Sequence, residues 1–148
     1  MKIKESIKIN SSATAIWSIL QDPGNMPSWN PKCISCNGSK SIKKGSSFDA
    51  VFKLGKNPKS TTCKIMELKP CEQITIRYSG EAFSSEDGFV DETFYLNSIE
   101  PMQTKIRLEV DFSNSKLPVF IKIIMWFINT FGYKAGKSSL DGIQDLLK

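Results

Sequence analysis

Histidine is absent from this chain of 148 residues. Its absence removes the commonest general base near neutral pH and the commonest protein metal ligand together. Ser–His or Cys–His catalysis and any histidine-bound metal are therefore excluded. Long apolar runs are missing as well. The segment Met1-Lys2-Ile3-Lys4-Glu5-Ser6-Ile7-Lys8-Ile9 alternates, unlike the unbroken apolar core of a signal peptide. The most hydrophobic stretch, Leu117 to Phe131, contains Lys122 and Asn129 and falls short of the ~20 residues needed to span a bilayer. Charge runs are short too, none of the lysine clusters exceeding Lys43-Lys44. The 20 basic residues are interleaved with 15 acidic ones, so the net charge of +5 reads as a solvated surface and not as a nucleic-acid-binding stripe. No nucleic-acid partner and no transmembrane segment are expected, and the reducing cytoplasm is the expected location.

What is present is ordinary globular material. The apolar fraction is 40% and the charged fraction 24%, which sets aside disorder, collagen and coiled coil. One domain over residues 1–148 is expected, burying roughly 68–70% of its unfolded surface without staples. Four cysteines occur. Cys33-Ile34-Ser35-Cys36 falls where a strand is expected, and residues three apart on a strand point to opposite faces. Cys63 and Cys71 offer no second close pair, so free thiols are expected, with no metal site and no cofactor.

The hydropathy period changes along the chain. Residues 2–9 carry Ile3, Ile7 and Ile9 opposite Lys2, Lys4 and Lys8, a half-buried strand in which Glu5 breaks the apolar row. Ser11 or Ser12 then caps a helix through Ala13, Ile16, Trp17 and Leu20, ended by Asp22-Pro23-Gly24. Met26-Pro27-Ser28-Trp29-Asn30-Pro31 has too much proline for more than a short helical bend. Period-two segments follow at Ser47–Leu54, Thr61–Leu68, Gln73–Ser79, Phe89–Asn97 and Thr104–Phe112. Their short connections at Lys44-Gly45, Gly55 to Pro58, Lys69-Pro70 and Glu100-Pro101 predict an antiparallel meander. In the last strand Lys105, Arg107, Glu109 and Asp111 occupy the outer face.

Leu117 to Leu147 reads as one closing helix of about 45 Å. Leu117, Ile121, Ile124, Ile128, Phe131, Ala135, Gly142 and Leu146 form its apolar stripe, with Phe120 and Phe127 beside it. Gly132 and Gly136 weaken its middle. Its lysines, Lys122, Lys134 and Lys137, leave transient membrane contact open, although core packing is favoured. Bulky residues in its first half and small ones (Ala135, Ser138, Ser139, Gly142) in its second predict that the helix leaves space against a curved sheet.

The layout resembles the helix-grip superfamily (SRPBCC, or START-like) and within it the polyketide cyclase/dehydrase-like branch. The residues that carry the resemblance are Ser12-Ala13, Trp17, Leu20 and Asp22, followed by Met26-Pro27, Trp29-Asn30-Pro31, then Gly45 before the Phe48 strand and Lys69-Pro70 before the next. Met102-Gln103-Thr104-Lys105 departs from the Gly-Gly-Thr-Arg turn of many relatives. The resemblance implies an α+β fold, a curved antiparallel sheet of six or seven strands around a long C-terminal helix, with two short helices after strand 1. It also implies a pocket for a hydrophobic small molecule.

Candidate ligand-binding residues follow from the inward faces. Phe48, Phe52, Ile76, Tyr78, Phe94, Leu108, Ile124, Phe127, Ile128 and Phe131 would line the space, and Trp29 and Phe83, in connecting segments, would guard its entrance. On the strand Phe89–Asn97, Val90, Glu92, Phe94 and Leu96 share one face; a slip of one residue would put Asp91, Thr93 and Tyr95 there instead. Buried among apolar neighbours, Glu92 would have a raised pKa and Tyr78 would donate a hydrogen bond to a carbonyl. A carrier of a lipid, polyketide or isoprenoid-like compound is favoured over a cyclase or dehydratase using Glu92 and Tyr78. A protein-interaction module on the same fold is the third reading, and the oligomeric state is left unassigned.

Overall fold

Side chains alternate across a strand, so the apolar rows decide which face of the sheet is dry. The computed structural model describes residues 2–39, 41–53, 57–80, 88–115 and 138–148. Within them lie seven strands: β1 (Lys2–Ile9), β2 (Cys33–Cys36), β3 (Ser47–Phe52), β4 (Lys59–Lys69), β5 (Gln73–Ser79), β6 (Phe89–Glu100) and β7 (Gln103–Asp111). They form one antiparallel sheet in the order β1-β7-β6-β5-β4-β3-β2, so the first strand returns to pair with the last. Phe48 and Phe52, Cys63 and Ile65, Ile74 and Ile76, Val90 and Phe94, Ile106 and Leu108 fill the buried face. Across β1 and β7, Lys2 stands opposite Asp111 and Lys4 opposite Glu109, opposite charges directly across a strand pair. Register shifts between Cys33 and Ser35, Ile65 and Glu67, and Ser98 and Glu100 bend the sheet.

The strands match the expected segments with small changes at their ends. β3 stops at Phe52 instead of Leu54, while β6 runs on to Glu100 because its last residues pair with β7 alone. Gly45 occupies a left-handed conformation (φ 93°). There its N–H donates to the Ile65 carbonyl at 2.8 Å, a turn that a β-carbon would strain.

Helix α1 (Ala13–Leu20) is capped by Ser12, whose Oγ accepts the Ala15 N–H at 3.1 Å. It buries Ile16, Trp17 and Leu20. A 3-10 turn (Pro23–Asn25) starts on Asp22, whose carboxylate accepts the Gly24 N–H, and leads into α2 (Met26–Trp29). Each proline here sits in a first turn, where a missing N–H costs nothing.

The closing segment departs from the expectation of one helix over Leu117–Leu147. Ser138 is extended (φ −89°, ψ 167°) and begins a separate helix, α3 (Ser139–Leu146). Its Oγ accepts from the Asp141 N–H, and the Asp141 carboxylate accepts from the Ser138 N–H. This reciprocal cap satisfies two donors that a continuous helix would have bonded internally. The stripe from Leu117 to Phe131 lies outside the described residues. A second correction concerns Gly142, expected to leave space. Its bare Cα instead lies against the Trp29 carbonyl, where a β-carbon would collide with the α2 backbone.

Two variants test this closure. Gly142→Ala should cost about 1–3 kcal/mol of stability in urea unfolding, through overpacking against α2. Ser138→Ala should cost about 1 kcal/mol through loss of the cap. Wild-type stability in both would mean that α3 does not dock on α2 in this way.

Candidate functional site

The inner face is apolar except near its middle. On β5 and β6, Tyr78 is paired with Val90 and Ile76 with Glu92, so Tyr78 and Glu92 are diagonal neighbours on the same face. The Tyr78 hydroxyl donates to Glu92 Oε1 at 2.8 Å. Tyr78 is 2% exposed and Glu92 7%. The strand therefore turns Val90, Glu92, Phe94 and Leu96 inward, while Asp91 and Tyr95 face outward with Thr93, itself buried against Thr75 (Oγ1 to Oγ1, 2.9 Å).

Burial governs the electrostatics. Desolvation pushes the Glu92 carboxyl up to about 7, against the opposing pull of the Tyr78 hydrogen bond. Burial and then the nearby Glu92 charge push Tyr78 well above the usual phenol range. No lysine or arginine is buried among the described residues. The one basic residue at an inner-face position of the strands, Lys59, is exposed where β4 begins. A carboxyl poised near neutrality, hydrogen-bonded to a neutral phenol, can hold or move a proton at physiological pH.

Aromatic side chains surround this pair. Phe52 meets Tyr78 edge-to-face with centroids 5.5 Å apart, and Trp29 meets Phe94 in the same manner at 5.4 Å. Phe48, Ile76 and Leu108 lie buried on the same face. Trp29 does not sit at an accessible rim as expected. It is 2% exposed, held between the sheet and α3 because its backbone meets Gly142. Phe83, Ile124, Phe127, Ile128 and Phe131 lie outside the described residues, and with them the far wall of the expected cavity. A recess of about 510 Å3 lies beside the β2–β3 connection, lined by polar residues such as Asn37, Ser41 and Asp49 together with Ile42 and Phe48.

Three features were missed by the sequence reading. The bulge in β2 turns Cys33 and Cys36 to the same side, opposite Phe52 and Ala50, so their sulfurs do not diverge. Burial raises the Cys33 thiol to about 12 and also raises Cys36 and Cys63, which disfavours the thiolate at all three. Among the described residues no group of three or more His, Cys, Asp or Glu is placed to hold a metal. Glu5, which breaks the apolar row of β1, accepts the Ser138 hydroxyl at 2.9 Å, so that break marks where α3 is tied to the sheet. Finally, Trp29 Nε1 and Thr61 Oγ1 are buried without a hydrogen-bond partner. The inward parity of Thr61 with Cys63 and Ile65 was the available signal for the second.

A bent antiparallel sheet whose dry face is covered by helices, with a closing C-terminal helix, is the α+β helix-grip arrangement. The profile described as polyketide cyclase / dehydrase and lipid transport matches residues 1–131, and the chain belongs to that family. No curated protein matches it. Among solved structures it is similar to a START superfamily protein from Mycobacterium smegmatis, with 16% identity, 99% of each chain covered and a TM-score of 0.70. It is also similar to the Zhui aromatase/cyclase from Streptomyces sp. R1128, with 15% identity over 99% of this chain and 81% of that one, at a TM-score of 0.66. A third similar structure is norcoclaurine synthase from Thalictrum flavum in complex with dopamine and hydroxybenzaldehyde. There the identity is 20%, the coverage 99% and 86%, and the TM-score 0.65. These likenesses are likenesses of fold.

The raised Glu92 pKa has a definite sign in stability. The carboxyl is near 4.5 when unfolded and about 7 when folded, so the folded state binds the proton more tightly. Its contribution is complete below about pH 4.5 and is lost as pH rises through 7, a change of about 3 kcal/mol. Glu92→Gln keeps an acceptor for Tyr78 but cannot titrate. Urea unfolding from pH 4.5 to 8 should show that decline in the wild type and its absence in the variant; parallel curves would refute a buried acid.

Proposed function

We propose that this protein binds a hydrophobic or amphipathic small molecule, of lipid, polyketide or isoprenoid-like character, between the inner sheet face and its C-terminal segment. The observation that carries the reading is the buried Tyr78–Glu92 pair on an otherwise apolar face. A purely structural core would fill that position with an apolar residue, since burying a carboxyl costs far more than burying a methylene group. Phe48, Phe52, Ile76, Phe94 and Leu108 form the described wall, and Trp29 backs Phe94 from behind. Phe83, Ile124, Phe127, Ile128 and Phe131 are proposed for the remaining contacts. Burial of apolar ligand surface supplies about 25 cal/mol per Å2, and the pair orients the polar end. The family description, which includes lipid transport, supports the reading, as does the pair of small aromatic molecules held by norcoclaurine synthase. Four free thiols fit the reducing cytoplasm.

A cyclase or dehydratase is the second reading, favoured by one observation: a carboxyl that titrates near pH 7 in contact with a phenol. In that case Glu92 exchanges a proton with a carbonyl substrate and Tyr78 positions the carbonyl. The outer sheet face gives the interaction-module reading less support. There Arg77 grips Asp91 with two hydrogen bonds of 2.8 and 2.9 Å and lies over Phe89, while Arg107 covers Tyr95. Among the described residues the exposed large apolar side chains are scattered: Ile34 in β2, Ile99 near the end of β6, Met102 in the β6–β7 turn and Leu146 at the end of α3.

Native mass spectrometry of protein purified from its own host should show a small apolar compound travelling with the chain. Diphenylhexatriene should also gain fluorescence on adding the delipidated protein, and Phe94→Asp should weaken that gain about ten-fold or more through the cost of a charge in the apolar wall. A bare chain that leaves the probe dark would remove the reading. Turnover abolished in Glu92→Gln with the adduct retained would establish the enzyme.

A further inference from the structure

Trp29 Nε1 and Thr61 Oγ1 are buried without a hydrogen-bond partner, and a buried polar group in that state calls for a physical reason. Trp29 belongs to the helical layer, whereas Thr61 rises from β4 on the dry face, in step with Cys63 and Ile65. Thr61 is 2% exposed. Strand register shows what stands beside it. Ala50 pairs with Thr61 on one side and with Cys36 beyond. On the other side Thr62 pairs with Ser79 and Ser79 with Phe89, which brings Gly80 and then Gly88 level with Thr61. A β-carbon on Gly80 would lie 3.6 Å from Thr61 Cα, and a φ of 106° favours glycine there. One row across five strands thus carries Cys36, Ala50, Thr61, Gly80 and Gly88, with no side chain larger than threonine. The rows on either side are bulkier, with Phe48, Tyr78 and Val90 on one and Phe52 on the other. Phe52 and Tyr78 meet edge-to-face across the row.

We propose that this row is a slot for the ligand and that Thr61 Oγ1 is its hydrogen-bond contact, receiving a neutral hydroxyl or keto oxygen. The proposal rests on the ligand-binding reading above and narrows it to a compound with an uncharged oxygen on its apolar body. Small residues make the room, and the unpartnered hydroxyl supplies the specificity. A threonine hydroxyl offers one donor and two acceptor sites. It meets a keto oxygen by donating and an alcohol by donating or accepting. The row's one ionisable side chain is the Cys36 thiol. A ligand charge there would exchange its water for a single neutral hydroxyl, which is costly. Lys59, two residues before Thr61 and exposed, is the competing contact and would favour a carboxylate. A ligand lacking the oxygen would leave Thr61 unsatisfied, which is how a buried polar group rejects an analogue.

The test compares naphthalene, 2-naphthol and 2-naphthoate by equilibrium dialysis against the full chain at pH 7. The wild type should bind 2-naphthol at least about ten-fold more tightly than naphthalene. Thr61→Val keeps the shape of the side chain and removes the hydroxyl, so the preference should vanish. Thr61→Ser, which restores the hydroxyl, should recover it. The thermal midpoint of the free Thr61→Val protein should equal or exceed that of the wild type, because no hydrogen bond is lost. A clear fall in that midpoint would mean that the hydroxyl is already satisfied within the protein. That fall, an undiminished preference in Thr61→Val, equal wild-type affinities for 2-naphthol and naphthalene, or tightest binding of 2-naphthoate would each overturn the Thr61 assignment and leave the ligand reading standing. Failure of all three probes while diphenylhexatriene still brightens would do the same. Failure of all three with diphenylhexatriene dark would overturn both.

Discussion

A sheet with one dry face can carry a charge there only if something else holds it. In this protein that constraint falls on Glu92, which a strand of period two places among Val90, Phe94 and Leu96 and away from solvent. With no buried lysine or arginine beside it among the described residues, the carboxyl is pushed up to about 7 by burial and leans on the Tyr78 hydroxyl. The half-buried Arg77–Asp91 pair one strand position away shows the contrast. On the wet face, charge is neutralised by a bidentate partner and costs little. The same two strands thus carry a paired charge outside and a buried acid inside, and the proposed site is built on the buried acid.

The covering of that face is also built from local contacts that constrain one another. Trp29 reaches the sheet through Phe94 and reaches α3 through its own carbonyl, against which only glycine fits at position 142. Ser138 ends its extended stretch by capping α3 and by donating to Glu5 on β1. The short helix that carries Trp29 and the last helix are therefore coupled through backbone, and the last helix is tied to the edge strand β1 through a side-chain hydrogen bond. Burying aromatic surface in this way leaves the indole Nε1–H of Trp29 without a partner, at a cost of about 1–3 kcal/mol.

Much of the fold was legible in the residues. Alternation placed six of the strands near their final bounds, Asp22-Pro23-Gly24 ended α1, and the Ile74-Ile76-Tyr78 and Val90-Glu92-Phe94 rows placed the acid and the phenol on one face. Two kinds of feature were not legible. Bulges add a residue without changing composition, so the shift in β2 that brings Cys33 and Cys36 to one side left no mark in a period-two pattern. Small residues are ambiguous as well: Gly142 reads as empty space in one dimension and proves to be a point of close backbone approach. Glu5 was visible as an exception in its row, yet its partner lies 133 residues away.

The sequence by itself determined the class of fold, the dry face of the sheet and the residue types that meet there, because periodicity and side-chain chemistry act over a few neighbouring positions. Tertiary structure decided which of those residues touch. Strand register set the 2.8 Å contact between Tyr78 and Glu92, chain return set the pairing of β1 with β7, and the break at Ser138 set where the last helix starts. Burial then raised the carboxyl's pKa, and burial is a property of the assembled layers that no single segment possesses.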